Sequence, residues 1–258
     1  MYSKEELLED LATQIVGKKM FVFDTIDSTN ACARILGDTG TSEGAVVVAD
    51  YQTNGRGRLG RSWHAEPNES LLFSVLLRPP ISIETSGLLT LYASVAIARA
   101  VENSTGESVE CKWPNDLLLN GKKFCGILLE NSFQRAEVSY AVIGAGINVN
   151  QRALPPELSH RGTSLAIETG KTFDRKRILH AVLQELDALY RSARQGDFAT
   201  IVSEWTRRCS MFGKPVTVRQ HDDVLSGIAL RLNHDGGLIV ETGKGLQTVY
   251  AGDVTLVS

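Results

Sequence analysis

The 258-residue chain is short of several things that would fix its role at once. No run approaches the roughly 20 apolar residues that a membrane span requires. The opening Met-Tyr-Ser-Lys-Glu-Glu lacks the cationic and apolar stretches of a secretion signal, so the expected location is the cytoplasm. Only four cysteines occur, Cys32, Cys111, Cys125 and Cys209, with no Cys-x-x-Cys pair. That argues against a disulfide framework and for reduced core or strand residues. The five histidines are scattered, which argues against a structural zinc. Positive charge is not in excess either: 27 Lys and Arg against 30 Asp and Glu leave −3. With no overall basic field, neither a nucleic-acid partner nor an anionic membrane is expected, and any polyanion site must be local.

What is present reads as an ordinary soluble chain, 43% apolar and 22% charged, without repeats or low-complexity tracts. Ser3-x-x-Glu6 before Leu7, Leu8, Leu11 and Ile15 is a capping box, predicting a short helix that ends near Gly17. It is too short for a DNA-binding winged helix, and a strand over 19–23 already follows. Ala45–Asp50 and Leu71–Leu77 read as buried strands, and Leu88, Leu91, Tyr92, Val95 and Ala98 as one face of a helix over 86–102. Asn120-Gly121 predicts a tight hairpin between 109–119 and 123–130. An unbroken register would set Cys111 opposite Glu130 and place Lys112, Asp116, Lys123 and Cys125 on one face. Residues 137–143 read as a strand, Asp174 as the cap of a helix, and 198–208 as another helix. After Gly213 the texture becomes short alternating runs broken by Asp235-Gly-Gly237 and Ala251-Gly-Asp253, predicting a small all-β unit, plausibly a barrel. The expected division is 1–210 and 211–258.

Two clusters carry candidate chemistry. Gly55-Arg-Gly-Arg-Leu-Gly-Arg61 has dinucleotide spacing but continues as loop instead of entering a helix, so the Rossmann reading fails. What remains is an acid-free run of guanidinium forks and bare N–H groups able to wrap phosphates, where a solvated loop would be the bland alternative. Lys112-Trp-Pro-Asn-Asp116 with Lys123 forms the second cluster: Lys123 precedes an apolar run, so its ammonium lies at the edge of burial, where attraction to an anion strengthens. Gly126 suggests a close approach of ligand or backbone. Gly170-Lys-Thr172 lacks the first glycine of a P-loop, and Gly60-Arg-Ser-Trp-His64 lacks the last glycine of a nucleophile elbow. Asp27-Ser-Thr-Asn30, taken alone, is a helix cap, and Gly144-Ala-Gly146 a strand packed on backbone.

Together, Asp27–Asn30, Gln52–Trp63, Lys112–Asp116, Lys123–Glu130 and Gly144–Asn148 resemble the biotin protein ligases in identity, order and spacing. The resemblance implies an α+β catalytic domain, a mixed sheet with flanking helices similar to class II aminoacyl-tRNA synthetases, followed by a small SH3-like barrel. It implies two steps: biotin and MgATP give biotinyl-5′-adenylate and pyrophosphate, then a lysine of a biotin carboxyl carrier domain takes the biotin. Ser28, Thr29, Asn30, Gln52, Arg56, Gly57, Arg58, Lys123 and Gly126 correspond to biotin contacts. Arg56, Arg58, Arg61, Trp63, Lys123 and Asn148 correspond to adenylate contacts, Trp63 by stacking and Asn148 by hydrogen bonding. Arg58, Lys123 and Asp116 are the expected catalytic residues, Asp116 orienting or deprotonating the incoming amine. Magnesium is expected on phosphate oxygens and water, with no protein ligand named. Some members carry an N-terminal winged helix that represses biotin genes; the expectation here is the monofunctional type, monomer or homodimer. A lipoate or octanoate ligase and a non-catalytic biotin sensor are the alternatives.

Overall fold

The computed structural model describes residues 3–220 and 223–257. A capping box at Ser3 and Glu6 starts helix α1 (Lys4–Leu8), which stops well before Gly17. The reason lies far away in sequence. The Asp187 carboxylate accepts the N–H groups of Gln14, Ile15 and Val16 at 2.7–2.8 Å, so this stretch is held as a loop instead of a continuing helix. The chain then runs through β1 (Lys19–Ile26), α2 (Thr29–Asp38), β2 (Ala45–Gln52), β3 (Ser70–Leu77), α3 (Leu88–Thr105), β4 (Glu110–Lys112), β5 (Asp116–Leu119), β6 (Lys122–Gln134) and β7 (Glu137–Asn148). Short helices α4 (Pro156–Ser159) and α5 (Leu165–Thr169) interrupt the stretch read as loop, and α6 (Arg175–Arg194) and α7 (Ala199–Arg208) follow.

The seven strands form one mixed sheet in the order β1-β2-β3-β7-β6-β5-β4, with only β1 and β2 parallel. Alternation divides its faces. Val46, Val48, Phe73, Val75, Ile143, Ala145, Cys125 and Ile127 point into the larger core with α3 and α6. Ala45, Val47, Leu76 and Val142 face the smaller core under α2. Helix α3 is buried on more than the one predicted face, because α6 and α7 pack on the side turned away from the sheet. Its Arg99 and the α7 residue Arg208 join Glu185, Glu204 and Glu102 in ion pairs.

The Asn120-Gly121 turn forms with both residues at positive φ, 48° and 75°, as a two-residue hairpin requires. The register beyond it departs from the simple hairpin. Leu118 faces Lys123, but Leu117 faces Cys125, so Phe124 is a bulge residue. Both Phe124 and Cys125 are fully buried in the core. The bulge therefore sends Lys123 to the α2 side of the sheet, away from Cys125, which corrects the expectation that the two share a face. A second correction concerns Cys111: β4 folds back after the cis Trp113-Pro114 peptide and pairs with β5, so Cys111 faces Leu117, while Glu130 faces Val142. None of the four cysteines is in a disulfide.

Strands β8 (Pro215–Gln220), β9 (Asp223–Leu232), β10 (Leu238–Thr242), β11 (Gly245–Val249) and β12 (Asp253–Leu256) form a separate antiparallel sheet, the SH3-like unit. Its order β11-β10-β9-β8-β12 leaves β11 and β12 as edges, so the described ladder is open. Trp113 Nε1 donates to the Gly236 carbonyl at 3.1 Å, tying this unit to the first sheet. Among the described residues no helix is long and apolar enough to cross a membrane.

Candidate functional site

On the α2 side of the sheet lies a cavity of about 1000 Å³. All thirteen residues singled out above line it: Ser28, Thr29, Asn30, Gln52, Arg56, Gly57, Arg58, Arg61, Trp63, Asp116, Lys123, Gly126 and Asn148. Its floor exists because the alternating positions on this face are small. Gly144 and Gly146 of β7 stand beside Leu128 and Gly126 of β6, and Gly126 faces Gly146 directly. A β-carbon on Gly146 would come within 2.4 Å of the Trp63 ring, and one on Gly144 within 1.8 Å of Asn30 Oδ1.

At one end, the N-terminus of α2 is fixed by a closed set of polar contacts. Ser28 caps the helix, its hydroxyl accepting from the Ala31 N–H at 3.4 Å. Gln52 Oε1 accepts from both Thr29 N and Thr29 Oγ1, at 2.7 and 3.0 Å. The Ser74 hydroxyl lies 2.8 Å from Thr29 Oγ1 and 2.6 Å from Asn30 Oδ1. Asn30 Nδ2 donates to Glu130 at 2.8 Å and to the Leu128 carbonyl. Asn30 is thus a cross-brace with its amide spent on protein partners, whereas the Gln52 amide nitrogen is left facing the cavity end.

The arginine loop folds on itself. Gly57 N donates to the Arg61 carbonyl at 2.6 Å and Trp63 N to the Gly55 carbonyl at 2.9 Å, with Leu59 and Gly60 in the left-handed region. Each guanidinium has a separate anchor. Arg56 meets Glu130 at 3.3 Å, Arg58 donates to Asn115 Oδ1 at 3.0 Å, and Arg61 pairs with Asp253 of the C-terminal sheet. Burial pulls the Arg58 guanidinium below its ordinary value; Asp116 opposes that shift and Arg61 adds to it. A partly desolvated cation of this kind is stabilised by an added anion.

Lys123 completes the set. Its ammonium is 2.5 Å from Asp116 and 5.6 Å from the centre of the Trp63 ring. Its backbone is clamped by the 161–163 segment, since Lys123 N donates to the Arg161 carbonyl and Thr163 N to the Lys123 carbonyl, both at 2.9 Å. The same segment holds Asn148, whose Nδ2 donates to the Thr163 carbonyl at 2.9 Å. Trp63 and the Lys123 ammonium therefore lie side by side over the glycine floor: a β-carbon on Gly126 would come within 2.9 Å of the Trp63 ring and 3.1 Å of Lys123 Nζ.

Sequence reasoning missed Gln151, a loop residue that lines the cavity, and Ser74, buried in an apolar strand behind it, which braces Thr29 and Asn30; neither carries a local signal. Thr217, Arg219, Asp253, Val254 and Thr255 reach the cavity from the C-terminal sheet, a proximity invisible in sequence. Among the described residues no group of three or more His, Cys, Asp or Glu is placed to hold a metal ion.

Comparison with known proteins agrees with this geometry. Residues 22–148 match the Biotin/lipoate A/B protein ligase family and residues 211–257 match the Biotin protein ligase C terminal domain. The chain is 35% identical over 256 residues to the bifunctional ligase/repressor BirA of Bacillus subtilis, covering 98% of this chain and 79% of the relative. It is 32% identical over 239 residues to the biotin–[acetyl-CoA-carboxylase] ligase of Paracoccus denitrificans, covering 88% and 96%. The structure of a biotin protein ligase from Aquifex aeolicus in complex with biotin and ATP superposes with a TM-score of 0.77 at 31% identity, covering 93% of this chain and 99% of that one. Over nearly its whole length, this chain belongs to the biotin protein ligases.

Proposed function

We propose that the chain activates biotin with MgATP as biotinyl-5′-adenylate and transfers the biotin to a lysine of a biotin carboxyl carrier domain. The observation that carries this is the convergence of Arg56, Arg58, Arg61 and Lys123 on one cavity whose floor is glycine. Attack of the biotin carboxylate on the α-phosphorus brings two anions together, and these four cations are the charges available to offset that repulsion. Biotin lies along the floor, with Ser28, Thr29 and Gln52 at its polar end and Asn30 framing the end without contacting it through its amide. Lys123 spans the biotin carboxylate and the phosphate. Trp63 and Asn148 receive the adenine. Pyrophosphate is the leaving group, and magnesium would be carried by the nucleotide's phosphate oxygens and water, where it would offset their charge.

The arginine loop closes over the mixed anhydride and keeps water from it until the carrier arrives. The carrier lysine attacks the acyl carbon as the free amine, and AMP leaves. Asp116, at the mouth beside Lys123, orients that amine or takes its proton. In this reading residues 1–210 carry the biotin and ATP site, 211–258 form the C-terminal unit, and the protein works in the cytoplasm. The similarity to a structure bound to biotin and ATP favours biotin over lipoate. Mass spectrometry of an apo biotin carboxyl carrier domain incubated with the protein, biotin and MgATP tests the proposal. A mass gain of one biotin is expected; no gain, or an equal gain with lipoate, refutes it.

A further inference from the structure

Gln151 has an incomplete set of hydrogen bonds in one specific direction. It lines the cavity, is 4% exposed, and lies three residues beyond Asn148. Both hydrogens of its Nε2 are committed, one to Ser70 Oγ at 2.6 Å and one to Asn148 Oδ1 at 3.2 Å. This orientation is forced. Asn148 gives its own NH2 to the Thr163 carbonyl, so its oxygen must face Gln151, and a flipped Gln151 would set oxygen against oxygen. The Gln151 carbonyl already accepts from Ser164 Oγ at 2.7 Å. Gln151 Oε1 is left as a buried acceptor with no donor among the described residues. Such an atom costs stability unless a ligand supplies the hydrogen.

The surroundings narrow that ligand. Asn148 Oδ1 accepts one hydrogen bond and has capacity for a second, and with Gln151 Nε2 3.2 Å from it the two amide groups are neighbours in the lining of this cleft. Trp63 Nε1, also buried and without a partner, stands over Gly146 on the same floor. A flat heterocycle with N–H donors for the amide oxygens and a ring nitrogen to accept from Trp63 Nε1 matches this set.

We propose that Gln151 selects the nucleobase: its Oε1, with Asn148 Oδ1, receives the two hydrogens of an exocyclic amino group at position 6 of a purine. Hypoxanthine, with a keto oxygen at that position, would present a third oxygen to the pair. This deepens the nucleotide reading above and rests on it.

The test compares ATP with ITP on the wild-type chain, Gln151→Met and Gln151→Glu, by calorimetric binding and by biotin-dependent pyrophosphate release. Wild type should prefer ATP by tenfold or more. Gln151→Met, similar in length without the acceptor, should lose most of that ratio through weaker ATP binding, with ITP binding and biotin affinity little changed. Gln151→Glu keeps an acceptor of the same reach but sets its other oxygen against Asn148 Oδ1, so both nucleotides should bind more weakly while the ATP preference stays above that of the Met variant. An equal weakening of ATP and ITP in the Met variant would mean that Gln151 only props Asn148, and would overturn the proposal. So would a wild-type chain that does not discriminate, a measurement that depends on no variant folding. If wild type binds ATP selectively yet releases no pyrophosphate with biotin, the ligase reading fails while the binding ratios still judge Gln151.

Discussion

Replacing Lys123 separates fold from chemistry more sharply than any other single change. Its ammonium pairs with Asp116 at 2.5 Å, but the two side chains are 35% and 25% exposed, so solvent screens the pair. Its loss should cost stability about 0.2–1 kcal/mol, the scale of a partly exposed ion pair. The chemical step is a different matter. A single well-placed contact to developing charge is worth about 10²- to 10³-fold in rate, or roughly 3–4 kcal/mol. Lys123→Ala also leaves the Asp116 carboxylate unneutralised in a cavity meant for two anionic substrates, which adds repulsion. Adenylation should therefore fall by about 10²-fold or more while the melting temperature moves by only a few degrees. Lys123→Gln should fail nearly as badly. The double change Lys123→Ala with Asp116→Asn should recover part of the loss by removing the stranded charge. Lys122→Ala is the control, since Lys122 is exposed on the opposite side of the strand. Pyrophosphate release with biotin and MgATP, alongside thermal melts, reads all four. The reasoning is wrong if Lys122→Ala is the damaging change, if Lys123→Ala is unimpaired, or if it unfolds the protein.

Arg58→Ala should raise the rate at which biotinyl-adenylate escapes, because Arg58 anchors the loop to Asn115; an unchanged release rate by quenched-flow sampling would contradict a closing role. Asp50→Ala should lower stability by roughly 3–5 kcal/mol, since it removes the carboxylate 2.8 Å from the buried Arg175 guanidinium, 9% exposed next to the core; a melting temperature within a degree or two of wild type would count against that. The cysteines should resist alkylation at pH 8. Burial pushes the thiols of Cys111 and Cys125 far up and that of Cys209 up to about 11, so little thiolate exists below that pH, and mass-spectrometric labelling should become fast only on unfolding.

The local signals in the sequence were of the kind that short-range physics reads. Capping at Ser3 and Asp174, the Asn120-Gly121 turn, the apolar runs of β2 and β3 and the change of texture after Gly213 all depend on residues within a few positions of one another, and each formed where expected. The acid-free arginine loop and Lys112–Asp116 could be marked as chemistry because their composition is costly for a plain loop or hairpin. Tertiary structure decided everything that needed two distant segments. Asp187 fixed the loop before β1 by capturing backbone N–H groups more than 170 residues away. The Phe124 bulge turned Lys123 off the core face, with Phe124 and Cys125 both buried in that core. The fold braced Asn30 against Ser74 and Glu130, and it brought Asp253 to Arg61. Gln151 carries no pattern that marks it; only the orientation that Thr163 imposes on Asn148, and Asn148 on Gln151, leaves its side-chain oxygen buried beside the cleft without a donor among the described residues.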